Sequence, residues 1–185
     1  MTRFRRSGDQ LLLALADYEE AVLESMVEQL IDLLEGDGVR PQIDDQFDRW
    51  EAEMAAPGDL DTSDPVIARL FPPAYRDDEK AEAEFRRFTE SAQRRAKIEQ
   101  ARVVLHALLE TSGGRDPAVI RGVDVDAWLK TIAALRLTLS VRLGIADAED
   151  VEELEELDAE DPRGVMYNMY EWLGYLLEDL LDKLH

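Results

Sequence analysis

Two histidines, several close-set aspartates and a full arginine complement are the residues of this chain that could do chemistry. His106 could act as a general base or bind a metal; His185 is C-terminal. A di-iron centre in a helical bundle needs Glu-x-x-His twice. The residue three before His106 is Val103, so that pattern fails. With no acid or nucleophile paired to it, His106 reads as a half-buried histidine hydrogen-bonded at the edge of an apolar stripe. Asp59, Asp61 and Asp64 resemble the start of a calcium loop, which requires Gly sixth and Glu twelfth. Those places hold Asp64 and Leu70, which points to a solvated acidic loop. Asp124 and Asp126 read as helix caps rather than a ligand pair. The chain has no cysteine, which removes disulfides, thiolate metal sites, thiol nucleophiles and redox-sensing thiols together. No phosphate loop, dinucleotide fingerprint or nucleophile elbow occurs. The expectation is a protein that is not an enzyme and has no catalytic residue, cofactor or metal.

Three features could carry binding instead. Arg86, Arg87, Arg94, Arg95, Lys97 and Arg102 crowd one helical segment and could dock an acidic protein or nucleic acid. The stronger reading is a solvated face. Glu82–Arg86 and Glu90–Arg94 are i,i+4 pairs with the acid first, and Glu84–Arg87 and Glu99–Arg102 are i,i+3 pairs. Second, residues 146–161 hold ten carboxylates and no cation, with Val151, Leu154 and Leu157 at intervals of three. Such alternation occurs in segments that fold on a basic partner, or it is an acidic loop or fraying helix packed on its own bundle. Third, Trp172 and Tyr175 lie outside the leucine stripe of the last helix, where they meet a second neighbour such as an N-terminal hairpin or form a partner site. Arg136 falls within an apolar sector and must find a carboxylate or carbonyls, so a structural ion pair is expected.

The elements that must position these residues follow from periodicity. Thr2–Arg6 and Gln10–Leu15 flank Ser7-Gly8-Asp9, which predicts a small hairpin over residues 1–16. Asp17 with Glu20 forms a capping-box pattern before Leu23, Met26, Val27, Leu30, Ile31 and Leu34, a helix that Gly36 ends. Residues 35–63 read as an acidic connection in which Phe47, Trp50 and Met54 form a short amphipathic turn. Asp64-Pro65 starts a brief helix ended by Pro72-Pro73. A long helix follows over about 78–111, with Ala81, Phe85, Phe88, Ala92, Ala96, Val103 and Ala107 as its core stripe, and Gly113-Gly114 ends it. The next helix, capped by Asp124 and closed by Gly144, carries Trp128, Ile132, Leu135 and Leu139 on one side and Ala133, Leu137 and Val141 on the other, which places it at the bundle centre. After the acidic connection 146–161, the last helix spans about 162–184. The fold class is mainly α: one helical domain over 1–185, a bundle of four main helices plus short helices, with a small β-hairpin at the N-terminus.

Asp and Glu number 42 against 21 Lys and Arg, a net charge of −21. Such a surface repels polyphosphates, so direct nucleic-acid binding is not expected. Arg3, Arg5 and Arg6 precede an apolar run over 11–16 that is too short for a signal-peptide core. No stretch approaches ~18 apolar residues, the length of a membrane span. A cytoplasmic location is expected.

In order and spacing, the segments DPVIARLFPPAYRDD, AKIEQARVVLHALLET, DVDAWLKTIAALRLTLSVRLGI and MYNMYEWLGYLLEDLL resemble an actinobacterial domain-of-unknown-function family. That family is typically encoded beside the Clp protease adaptor ClpS and includes the oxidative-stress transcriptional regulator AosR. The resemblance spans about Phe4 to Leu181. It implies a regulator of transcription that contacts a stress sigma factor and is under redox control through cysteines. This chain departs from that pattern, because without cysteine it has no thiol switch. The expected partner is a basic protein such as a sigma factor or RNA polymerase subunit. The alternatives are an accessory or adaptor of Clp proteolysis, suggested by the family's gene neighbourhood, and a DNA-binding regulator using the Arg86–Arg102 face. Oligomeric state is left open.

Overall fold

The computed structural model describes residues 3–36, 63–158 and 160–184. The helical turn expected at Phe47, Trp50 and Met54, the aspartates Asp59 and Asp61, and His185 lie outside the described residues.

The expected hairpin forms from β1 (Phe4–Ser7) and β2 (Gln10–Leu13), antiparallel with Phe4 opposite Leu13 and Ser7 opposite Gln10. Gly8 takes φ 65° in the turn between them, a conformation glycine adopts without steric cost. A third strand that the sequence reading missed, β3 (Ala118–Arg121), pairs antiparallel with β2 and puts Ile120 opposite Leu11. The sheet order is β1-β2-β3. Phe4, Leu11, Leu13, Ala118 and Ile120 are all buried. A two-stranded ribbon is marginal in water, and the third strand with one covered face supplies what it lacks.

Helix α1 (Asp17–Glu35) buries Leu23, Val27, Leu30, Ile31 and Leu34. Its cap lies one residue earlier than expected: Ala16 holds the extended cap position, and Glu19, not Glu20, reaches back to accept the Ala16 N–H at 2.8 Å. Helix α2 (Pro65–Leu70) starts as expected, with the Asp64 carboxylate accepting the Val66 N–H at 2.7 Å.

Helix α3 (Glu79–Leu109) is capped by Asp78, which accepts from the Lys80 and Ala81 N–H groups. Its buried residues are Ala101, Val104 and Leu108 alone. The stripe expected from periodicity is therefore corrected: Phe88 is 76% exposed, and Val103 and Ala107 are half-buried. Among the described residues, α3 is buried only toward its C-terminal end, so the apolar period of its first five turns does not enter the core.

After α3, Ser112, Gly113 and Gly114 take φ of 58°, 71° and 76° in succession. The Thr111 hydroxyl stabilises the turn, donating to Glu20 and accepting the Gly114 N–H at 3.1 Å. A Cβ on Gly114 would lie 3.0 Å from the Asp17 Cα, so glycine is needed there for space as well as for φ.

Helix α4 (Val125–Leu143) buries Trp128, Ile132, Leu135 and Leu139 and packs on α1, α2, α3 and on α6 (Pro162–Asp182). It is the central helix, as its sequence suggested. Its second side is less covered than expected, with Leu137 and Val141 half-buried and Ala133 exposed. Gly144 closes it in the left-handed conformation, φ 75°. The acidic connection contains a short helix, α5 (Ala148–Glu155), that lies against α6 and buries Leu154.

Candidate partner-binding surfaces

The basic face of α3 comes with its own counter-ions. Arg86 Nε donates to Glu82 at 2.8 Å and its Nη2 to the Phe71 carbonyl at 3.3 Å. Arg94 pairs with Glu90 at 3.4 Å, and Arg102 bridges Glu99 and Glu35 at 2.9 and 2.8 Å. Arg87 lies over the Phe88 ring rather than pairing with Glu84. Lys97 sits over the Phe71 ring, and burial, then Lys130, pushes its ammonium below the usual range. Arg95 also has an interaction partner.

Of the aspartates expected as caps, Asp124 occupies the cap position of α4 but caps nothing. Its carboxylate is held by Arg121 at 2.5 and 3.2 Å. Asp126 pairs with Lys130 at 2.7 Å. His106 is corrected from half-buried to solvent-facing: it is 78% exposed and 3.6 Å from Glu110. Among the described residues no group of three or more His, Asp and Glu is placed to hold a metal ion.

Arg136 is the clearest departure from expectation. Its guanidinium stacks 4.2 Å from the Tyr170 ring centroid, and its Nε is buried without a hydrogen-bond partner. No carboxylate pairs with it among the described residues, so the expected ion pair gives way to a cation–π contact. Gly174 makes the room, since a Cβ there would lie 2.9 Å from Arg136 Nε. Tyr170 also stacks on Tyr167, whose hydroxyl donates to Glu155 of α5 at 3.2 Å. Burial, then Glu171 and Glu155, pushes the Tyr167 phenol up to about 12.

The N-terminal sheet does dock on the last helix, through a carboxylate and not through Trp172 or Tyr175. Asp179, buried on α6, accepts the Arg3 and Phe4 N–H groups at 2.7 and 2.8 Å, and Lys183 lies 3.2 Å away. Burial raises the Asp179 carboxyl most, but the bonds from Phe4, Arg3 and Lys183 together outweigh it and hold the group below its usual 3.8. The Arg3 guanidinium grips Glu19 of α1 with two bonds of 2.8 and 2.9 Å, and Arg6 donates to the Lys183 carbonyl. The strand thus ties α1 to α6.

Trp172 and Tyr175 part company. Tyr175 is 38% exposed. Trp172 is half-buried and lines a cleft between α1 and α6 with Tyr18, Val22, Val165 and Met169. This part of the cleft, about 320 Å³, shares Val22, Val165 and Met169 with a second part of about 470 Å³ floored by Leu135, Thr138 and Leu139 of α4. Sequence reasoning placed Met26 in a core stripe; Met26, Met166 and Met169 are all half-buried and line this cleft. The signal available was the double apolar face of α6, which Trp172 had already marked.

These features define an acidic helical bundle capped by a small antiparallel sheet, with an open apolar cleft on one side. The family model described as "Domain of unknown function (DUF2017)" matches residues 1–184, and the chain belongs to that family. No curated protein and no solved structure matches the chain.

Proposed function

We propose that this protein is a non-enzymatic regulator that acts by docking on a basic protein surface. Its partner is a sigma factor or RNA polymerase subunit, and its setting is cytoplasmic transcription, including the response to oxidative stress. The observation that carries this reading is the acidic arm formed by α5 and the turn after it. Leu154 is buried and Val151 half-buried, while Asp147, Glu149, Glu152, Glu153, Glu155 and Glu156 face solvent. A fixed array of one sign on a chain of net charge −21 attracts basic proteins and speeds their encounter.

The transcriptional partner is suggested by the resemblance to actinobacterial proteins encoded beside ClpS, among them AosR. With no thiol in the chain, an oxidant signal reaches this protein by a route other than a cysteine switch. No described helix is long and apolar enough to cross a membrane. The Arg86–Arg102 face is poorly suited to DNA, because binding phosphate there means giving up the contacts with Glu82, Glu90 and Glu99.

Co-purification from the native cytoplasm tests the proposal. Recovery of polymerase or sigma subunits is expected, and recovery of Clp subunits in their place would favour a role in proteolysis. Deleting residues 147–161 should weaken capture of the basic partner at least tenfold. Unchanged capture would refute the acidic arm's role, and duplex-DNA binding at low salt would revive the arginine face.

A further inference from the structure

We infer that the cleft between α1 and α6 is a receptor for one amphipathic, basic helix of a partner protein. The inference rests on the proposed protein-binding role and adds where the partner sits and what form it takes. Helix α1 packs mainly on α3, and α6 mainly on α4. The two outer helices therefore flank α4 with few contacts between them, leaving a trough whose walls are α1 and α6 and whose floor is α4. From Tyr18 and Trp172 at one end to Leu33 and Pro162 at the other, α1 advances fifteen residues, about 22 Å at 1.5 Å per residue. That length matches about four turns of a bound helix, the size used by helix-in-groove complexes.

The chemistry of the wall fits such an occupant. Tyr18 is 71% exposed and Val165 57% exposed at the lip, and Met26, Met166 and Met169 lie behind them. Methionine side chains are unbranched and adapt to an incoming apolar face, which is why they recur on surfaces that take varied helices. The rim is negative. Glu28 and Asp32, one helical turn from Ser25 and Gln29 of the wall, form the outer edge of α1 and are exposed. Glu156, Asp158 and Glu160 stand immediately before Pro162 at the far end. Arg142 also lines the cleft. An acidic or neutral helix would meet this rim unfavourably, whereas a helix apolar on one face and rich in Lys and Arg on the other satisfies floor and rim together.

The test uses the full chain and a fluorescent four-turn peptide with Leu and Met on one face and Lys and Arg on the other. A control peptide keeps the apolar face and carries Glu in place of Lys and Arg. The basic peptide should bind, its affinity should fall as salt rises, and Trp172 emission should shift. Val165→Arg places a cation at an exposed lip position, where folding is undisturbed, and should weaken binding at least tenfold. Val119→Arg, on the exposed side of β3, should change nothing. Failure of the basic peptide to bind, equal binding by the acidic peptide, or indifference to Val165→Arg would each overturn the inference. So would self-association of the chain that Val165→Arg abolishes, since the occupant would then be a second copy. If polymerase or sigma subunits co-purify equally with wild type and Val165→Arg, the proposed function stands and the cleft is not its site.

Discussion

Two regions of this molecule use the same ion pairs to opposite effect. Along α3, Arg102 meets carboxylates at the surface, where Arg102 is 53% exposed and Glu99 62% exposed. At the N-terminus, Arg3 meets Glu19, which is 6% exposed, and the strand's N–H groups meet Asp179, which is 8% exposed. Water screens the first set, whose Glu99 partner is a neighbour on the same helix while Glu35 lies on α1. The second set joins three elements through buried carboxylates, so losing one of them strands the groups that donate to it. Charge on a helix face therefore says little about what that charge holds together; burial decides it.

The largest effect should come from breaking the buried set. Asp179→Ala leaves the Arg3 and Phe4 N–H groups without their acceptor and should cost about 3 kcal/mol, read as a lowered urea midpoint. The same group gives a pH signature. The Asp179 carboxyl titrates lower folded than unfolded, so its contribution is complete above the ordinary 3.8 and disappears as pH falls through the depressed folded value. Asp179→Asn should lose stability at neutral pH and lose less than wild type on acidification. Equal acid sensitivity in the two proteins would contradict the assignment.

An intermediate case sharpens the contrast. Were Arg136 in a buried ion pair, removing it would cost about 3–5 kcal/mol. Because it stacks on Tyr170 without a carboxylate, Arg136→Met should change stability by about 1 kcal/mol or less. A loss several times larger would restore the ion-pair view. The smallest effect is expected at the surface. Arg102→Ala, which removes both exposed pairs, should shift stability by about 0.5 kcal/mol, and that shift should vanish in high salt.

How far the fold could be read from residues depended on whether a pattern is local. The starts of α2 and α3 were legible because Asp64 and Asp78 accept N–H groups within three residues of themselves. The end of α4 was legible because Gly144 is needed where the helix closes with positive φ. Strand β3 went unread although Ala118 and Ile120 alternate with exposed Val119 and Arg121. Four residues give too little periodicity, and the strand exists because β2, over a hundred residues earlier, offers it an edge. The expected stripe of α3 failed for the converse reason. Phe85, Phe88 and Ala92 do repeat at helical spacing, but none of the described elements buries Phe88, which is 76% exposed. As for the candidate site, Trp172 was singled out, while Tyr18, Val22 and Val165 belong to it only because α1 and α6 run past each other across α4.

The sequence by itself determined that this chain is built of amphipathic helices, where most of them start and stop, that it carries a large negative charge, and that it holds no thiol. These are properties of composition and of contacts within one or two turns. Only the tertiary structure decided which apolar faces are covered and which stay open, which carboxylates bind backbone and which meet water, and that Arg136 faces a ring instead of an acid. Those outcomes depend on helices distant in sequence arriving at the same place, and the energy of a polar or apolar group is set by what surrounds it there.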